Sequence, residues 1–337
     1  MRAAVIHQHG GPEVLRVEEV PDPVAQAGEV IVKVHATSLN YHDIFTRNGM
    51  PGINIPMPAI MGIDFAGEIA DIGVGVTGWE QGDRVLVDPK DRVHWKHLMG
   101  ETRAGGFGQY CAVPAEMLLR LPEAVSFEAA ACLPVAYGTA HRMMTTIGKV
   151  GQGEKVLVLG ASGGVGTGCV QLAKLAGSEV VACASSQEKL QRLRELGADH
   201  QLDYSKQPLH EWVRDNFGKP NRRGTAGGVD VVVNFTGGET WVPSLRCLRR
   251  QGRLLTCGAT AGFAPVEDLR YIWTFELQVL GSNGWTREDI VSLLDLVSAG
   301  SLKPVIDQVY SLQEAPAALA RLEMRQVFGK VVVKPWA

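Results

Sequence analysis

The sequence predicts an α/β protein: a doubly wound parallel sheet joined to a second domain that is mostly β. Three observations carry this. From about Phe127, apolar runs of strand length alternate with stretches of helical spacing, the pattern of a parallel sheet covered on both faces. Before it, short β-like runs are punctuated by Gly and Pro, as in Gly10-Gly11-Pro12, Pro21-Asp22-Pro23 and Gly73-Val74-Gly75. Finally, Lys155 to Ala176 reads KVLVLGASGGVGTGCVQLAKLA: an apolar strand, a turn of small residues, then apolar positions at helical spacing.

Taken in order, strands are expected at Ala3–Ile6, Leu15–Val20, Val30–His35, Ile69–Ile72, Arg84–Val87, Tyr110–Val113 and Leu118–Leu121. Ser126 is placed to cap a helix through Ala129–Ala131, and a second helix is expected near Tyr137–Ile147. After the central stretch come strand Glu179–Cys183, helix Gln187–Leu196, strand His200–Leu202 and helix Leu209–Phe217. Strand Val229–Asn234, helix Thr240–Leu248, strand Arg253–Cys257 and a last strand at Leu277–Gly281 complete the alternation. Helix Arg287–Ser298 leads to a tail of strand, helix and strand, Pro304–Tyr310, Ala315–Arg325 and Lys330–Lys334, expected to close back on the N-terminal domain. The resulting division is 1–123 completed by 285–337, and 124–284.

The 337 residues are 45% hydrophobic and 20% charged, which suits two domains with ample cores. A net charge of −3 argues against nucleic-acid or anionic-membrane partners, and Arg222-Arg223 and Arg249-Arg250 are too short to form a basic stripe. No apolar run reaches the roughly 18 residues of a membrane helix, and Met1–Ile6 lacks the longer apolar region of a signal peptide. Six cysteines without a C-x-x-C pair read as reduced thiols of a cytoplasmic protein.

The turn of the central stretch has chemistry written into it. Ala161, Gly163 and Gly166 fit the dinucleotide fingerprint with alanine in first place, so Ala161, Ser162, Gly163, Gly164, Val165 and Gly166 are candidates for meeting a pyrophosphate at the helix N-terminus. An NAD site carries an acid at the end of the second strand. Here that strand ends Ala184-Ser185-Ser186, and Lys189 follows within reach, with Tyr204 just after the third strand. A carboxylate would repel a 2′-phosphate and Ser185 does not, so NADP(H) is the expected cofactor. An ordinary solvated lysine and a surface tyrosine would look the same.

In order and spacing, Ser38-Leu39-Asn40-Tyr41-His42-Asp43, Met61-Gly62-Ile63-Asp64-Phe65-Ala66-Gly67, Gly82-Asp83-Arg84-Val85, Ala161–Gly166 and Glu188-Lys189-Leu190 with Leu196-Gly197-Ala198 resemble the medium-chain dehydrogenase/reductase superfamily, in its quinone oxidoreductase and enoyl reductase branch. The resemblance implies a GroES-like, mostly β catalytic domain plus a Rossmann domain, with the cofactor in the cleft between them. It implies that Lys189, Tyr204 and Arg325 hold the 2′-phosphate and that Thr139 lies near the nicotinamide and pyrophosphate. Asn234 and Cys257-Gly258-Ala259 would wall the ribose and nicotinamide, although Asn234 also suits a strand-end turn. Such proteins often pair Rossmann sheets edge to edge, so Leu277–Gly281 is the expected homodimer contact.

Zinc-dependent members use a cysteine and a Gly-His-Glu element where this chain has Asn40 and Gly62-Ile63-Asp64, and no cysteine lies between Asp88 and Ala104. His94 and His97 are expected in a solvated loop, and no metal site is expected. What remains is hydride delivery to an already activated quinone or α,β-unsaturated carbonyl. Asn40, donating to the carbonyl oxygen or ordering the nicotinamide, and Tyr41, donating a hydrogen bond or proton, are the catalytic candidates. His42 is expected to be structural or at the surface, and Asp43 to anchor a turn or helix start. Trp285 and Phe263 are candidates for lining the cleft. Two other readings stand beside this one: an alcohol dehydrogenase with an atypical metal site, and a weakly catalytic NADPH-binding protein.

Overall fold

A computed structural model describes residues 1–337. The backbone groups into two compact units, Met1–Ala136 with Arg287–Ala337, and Tyr137–Thr286.

The N-terminal part of the first unit runs β1 (Arg2–Ile6), β2 (Arg16–Glu19), β3 (Glu29–Ser38), α1 (Tyr41–Asn48), β4 (Ala59–Ile60), β5 (Asp64–Ile72), β6 (Arg84–Val87), β7 (Tyr110–Pro114), β8 (Leu118–Arg120) and α2 (Phe127–Ala131). Alternation along β3 buries Val30, Val32 and Val34 in one cluster with Phe65, Ile69, Val85 and Val87. Ser126 caps α2, its hydroxyl oxygen accepting from the Ala129 N–H at 3.2 Å. The strand-to-helix switch in the pattern put α2 with the second domain. The structure instead groups residues up to Ala136 with the first unit. The Ser38 hydroxyl donates to Ala131 O at 2.7 Å, and the Val135 N–H donates to Asp64 at 3.1 Å, which ties the segment to β3 and β5.

The second unit runs α3 (Gly138–His141), β9 (Lys155–Val158), α4 (Gly164–Leu175), β10 (Glu179–Ala184), α5 (Gln187–Glu195), β11 (His200–Asp203), α6 (Leu209–Phe217), β12 (Val229–Val233), α7 (Trp241–Cys247), β13 (Leu248–Thr256), α8 (Leu269–Phe275) and β14 (Gln278–Gly281). The helix expected near Tyr137–Ile147 is α-helical only over α3 and widens on either side, at Leu133–Tyr137 and Arg142–Ile147. Pro134 has no N–H, and the Val135 N–H leaves for Asp64, so the usual ladder is interrupted there. Six parallel strands form one sheet in the order β11-β10-β9-β12-β13-β14. The order in which the chain adds strands reverses between β9 and β12, and open sheets bind ligands at the C-terminal ends of their strands at such a point. Val156, Leu157 and Val158 of β9 are fully buried, each worth about 1.5–3 kcal/mol of transfer free energy.

The chain then returns to the first unit through α9 (Arg287–Ser298), β15 (Ile306–Ser311), α10 (Ala315–Glu323) and β16 (Lys330–Lys334). As the tail pattern predicts, β16 pairs antiparallel with β3, with Val332 opposite Ser38 and Val333 opposite Thr37. The seven-stranded sheet reads β15-β16-β3-β5-β6-β8, with β7 also on β3, and a smaller sheet reads β2-β1-β4.

His94 to His97 form the exposed loop expected of them, but the flanking parts of Asp88 to Ala104 are anchored in the unit. His94 and His97 are exposed, but Asp88, Asp91, Met99 and Glu101 are buried. Asp91 accepts from the N–H groups of Val93 and His94 at 3.1 and 2.7 Å, so one carboxylate organises the turn. No helix is long and apolar enough to cross a membrane.

Candidate active site

In the second unit the turn after β9 behaves as its glycines require. Gly160 has φ 61°, a conformation that favours glycine. A Cβ on Gly166 would lie 2.2 Å from Gly160 O and 2.6 Å from Ala161 Cα, so this glycine is demanded by helix–strand packing. Gly163 is different. Its Cβ would meet nothing nearer than Gly160 O at 3.6 Å, and its φ of −84° suits any residue. Packing within the protein does not require glycine there, and the backbone at Gly163 is left open to close approach. Gly163 caps the twelve-residue α4 without any side-chain cap, leaving the helix N-terminus uncapped by protein side chains. Ser162, Gly163, Gly164 and Val165 are half-buried, while Ala161 is fully buried and donates its N–H to Cys183 O. The cradle fits a dinucleotide pyrophosphate at the half-buried residues, whereas the Ala161 side chain is packed inside and its N–H is already committed.

At the end of β10, Ser185 is exposed, and Ser186 caps α5 through the Lys189 N–H at 3.3 Å. Lys189 is half-buried on the first turn of α5, and Tyr204, after β11, is 49% exposed. Asp203, next to Tyr204, accepts from Gln187, Ser205 and Lys206. Arg325 belongs to the first unit, exposed just after α10 with φ 58°.

Asn234 is held by its hydrogen bonds. It is fully buried; its amide donates to Thr240 and Ser244, and its oxygen accepts from the Thr236 and Gly237 N–H groups, all between 2.9 and 3.0 Å. Both polar atoms are engaged by the turn after β12 and by Ser244 of α7, so the side chain takes the strand-end turn role that the sequence also allowed. Thr139 is 8% exposed in α3. Burial pushes the half-buried Cys257 thiol up to about 12, and a Cβ on Gly258 would find nothing nearer than 3.9 Å. Trp285 is core, packed over Gly138, whereas Phe263 is 92% exposed.

In the first unit the motif after β3 starts a helix. Asp43 accepts from the Asn40 backbone N–H at 2.7 Å and anchors the first turn of α1. Asn40 was expected to offer its amide to a substrate, and the structure turns it inward. It is 6% exposed; its amide donates to Asp64 Oδ2 at 2.9 Å and its oxygen accepts from Lys330 Nζ at 2.5 Å. Lys330 also donates to Leu39 O at 2.8 Å and lies 3.6 Å from Asp64. Asp64 and Lys330 are 0% and 2% exposed. Burial pushes the Asp64 carboxyl up to about 6, with Lys330 and the Asn40 hydrogen bond opposing the rise. Burial likewise raises Asp43, opposed first by the Asn40 backbone N–H. Neither Lys330 nor this network was foreseen; the only sequence signal is a charge opening the apolar run Val331-Val332-Val333.

These contacts decide the fit to zinc. The three positions that zinc relatives use as ligands or support hold a neutral amide, an aliphatic side chain and a carboxylate already facing an ammonium. Zinc needs thiolate or imidazole donors with an open position, and this set does not supply them. No group of three or more His, Cys, Asp or Glu side chains gathers closely enough elsewhere to hold a metal.

Two side chains of α1 face outward. Tyr41 is half-buried against the cluster around Leu39, Ile44 and Leu312, and its ring meets Phe45 edge-on at 5.7 Å. His42 meets the same Phe45 and bonds through Nε2 to Glu101 Oε2 at 2.6 Å. Glu101 is 8% exposed and was missed by the sequence reading.

Comparisons with known proteins agree with this arrangement. Residues 26–123 match the alcohol dehydrogenase GroES-like domain, and residues 164–299 match the zinc-binding dehydrogenase domain. The chain is 32% identical to the 2-methylene-furan-3-one reductase of Solanum lycopersicum, covering 99% of this chain and 79% of that protein. It is 29% identical to a quinone oxidoreductase of Mus musculus, over 94% and 92% of the two chains. A solved structure named as an NAD-dependent alcohol dehydrogenase superposes with a TM-score of 0.90 at 34% identity, covering 99% of each chain.

Proposed function

Because the chain belongs to the medium-chain dehydrogenase/reductase superfamily, we propose that it is a zinc-independent reductase that uses NADPH to reduce a quinone or an α,β-unsaturated carbonyl compound. One observation carries this reading: the buried Asn40–Asp64–Lys330 network stands where a metal-dependent relative needs its donors. An enzyme without a Lewis acid there is suited to electrophiles that are already activated. Two of the similar proteins are named 2-methylene-furan-3-one reductase and quinone oxidoreductase, which supports the substrate class.

The bound cofactor supplies the hydride. Ser162 to Gly166 bind its pyrophosphate in this reading, the open space beside the Gly163 backbone allowing close approach. Ser185, Lys189 and Tyr204 receive the 2′-phosphate, supported by the absence of an acid at the end of β10. Arg325 contributes a further cation in the same role. Thr139, Cys257 and Gly258 border the nicotinamide end. Tyr41 donates a hydrogen bond to the substrate carbonyl oxygen, and a phenol, protonated near neutral pH, suits that task. Asn40 acts as a positioning residue, holding the start of α1.

The enzyme works as a homodimer in this reading. The terminal strand β14 exposes Val279 at 41%, and α8 before it exposes Leu269 and Trp273. The six cysteines are all free, which suits a cytoplasmic setting.

The similarity to a protein named NAD-dependent alcohol dehydrogenase favours a second reading, alcohol oxidation with an unorthodox metal. One experiment separates the two. Stopped-flow oxidation of NADPH is followed against quinones, enals, enones and enoyl thioesters, beside oxidation of simple alcohols and metal analysis of the purified protein. Reduction without stoichiometric zinc is expected. Bound zinc with alcohol turnover would replace this reading with the second.

A further inference from the structure

Reduction of an activated C=C bond needs two deliveries, a hydride to the β-carbon and a proton to the α-carbon. Proton transfer to carbon is slow from water, whereas an oxygen anion, such as a hydroquinone monoanion, is protonated freely. The enone branch of the proposed function therefore needs an acid that the quinone branch does not. Tyr41 has ring and apolar contacts and no carboxylate to orient it.

Its neighbour differs. His42 is one-third exposed, on the first turn of α1, and its Nε2 lies 2.6 Å from Glu101 Oε2. Glu101 is nearly buried, and its backbone is fixed from behind. Gly100 has φ 74°, and a Cβ there would lie 2.6 Å from the Gly62 carbonyl carbon, so the two backbones touch. The Glu101 N–H donates to Leu98 O at 3.2 Å. A buried carboxylate on a rigid turn thus aims a half-exposed imidazole, an acid–orienter pair. Neither residue is needed to start the helix, which Asp43 does, or to close the Lys330 network.

Resting on the enone-reduction reading, we infer that His42 is the proton donor to the α-carbon of the substrate and that Glu101 is its positioning residue. With Nε2 committed to Glu101, Nδ1 is the nitrogen from which the proton leaves. A bound dihydronicotinamide would supply the hydride for the β-carbon, itself losing two electrons, and would leave the substrate as an enolate for His42 to protonate. The Nδ1–H bond of protonated His42 breaks as the new C–H bond forms at the α-carbon, and the neutral ring regains a proton from water. The olefin is reduced by two electrons and gains two hydrogens.

The test compares the full-length wild type with His42→Gln and Glu101→Gln, reducing a benzoquinone and an α-methyl cyclic enone with NADPH in D2O. Glutamine at 42 keeps a donor for Glu101 and has no acidic proton, so a structural role survives the change. The ratio of enone to quinone kcat should fall by about tenfold to a hundredfold in His42→Gln. Deuterium at the α-carbon should lose its single handedness. Glu101→Gln should lower the same ratio less, through kcat with enone KM unchanged. Unchanged ratios, or stereospecific α-deuteration by His42→Gln, would overturn the inference alone. A wild type inert toward both substrates would take down the underlying reading and this inference with it.

Discussion

The side-chain amide of Asn40 donates to Asp64 across 2.9 Å, joining two positions that metal-dependent relatives commit to zinc. Lys330 closes the other side, so a covalently attached cation faces the carboxylate. A buried pair of this kind is costly to desolvate, and removing one partner leaves the other uncompensated.

Asp64 makes that cost measurable. Its folded-state pKa, about 6, lies above the ordinary 3.8. A raised carboxyl favours folding fully below about pH 4 and loses that contribution as pH climbs through about 6. Relative to Asp64→Asn, the wild type should lose on the order of 3 kcal/mol between about pH 4 and 7. Urea unfolding of both proteins across that window checks it, and parallel pH profiles would refute the assignment.

Two glycines of one turn should respond oppositely. Gly166→Ala drives a Cβ to 2.2 Å from Gly160 O, so it should cost about 1–3 kcal/mol or more and lower Tm. Gly163→Ala meets nothing closer than 3.6 Å, so Tm should hold while NADPH affinity falls about tenfold. Calorimetry and fluorescence titration read the two effects separately. Undiminished NADPH affinity in Gly163→Ala would remove the pyrophosphate from this turn.

Lys189→Ala should raise KM for NADPH about tenfold or more and leave NADH nearly unaffected, because a lost cation matters only to the 2′-phosphate. Equal losses with both cofactors would show that Lys189 supports the helix and nothing else.

Tyr41→Phe should lower kcat about tenfold to a hundredfold, with NADPH affinity unaltered, if its hydroxyl meets developing charge on the substrate oxygen. Full turnover in that variant would leave Tyr41 as packing against Phe45.

Light scattering bears on assembly. A dimer that dissociates on Val279→Lys is expected from the exposed edge of β14, and a monomeric wild type would dispose of that interface.

What the sequence disclosed was mostly short-range. The turn Gly160 to Gly166 is legible because its reasons lie within a few residues. The tail strand β16 was legible from its apolar run. Helix α8 was not: Leu269–Phe275 is rich in aromatic and β-branched residues of modest helix propensity and lies in a stretch that reads as loop. Asn234 shows why a polar residue at a strand end is ambiguous, since only its four hydrogen bonds distinguish a turn-former from a ligand. Asn40 and Lys330 lie 290 positions apart, and no local pattern announces such a partnership.

That separation also orders events during synthesis. A ribosome that has released residue 300 has already made Asp43 and Asp64, but not the ammonium that faces them. The first unit waits for Lys330 to be translated before these two acids gain their counter-ion. Nascent chains should therefore acquire a quiet, properly neutralised interior only after Lys330 has been made, and products stalled before it should be ready prey for proteases.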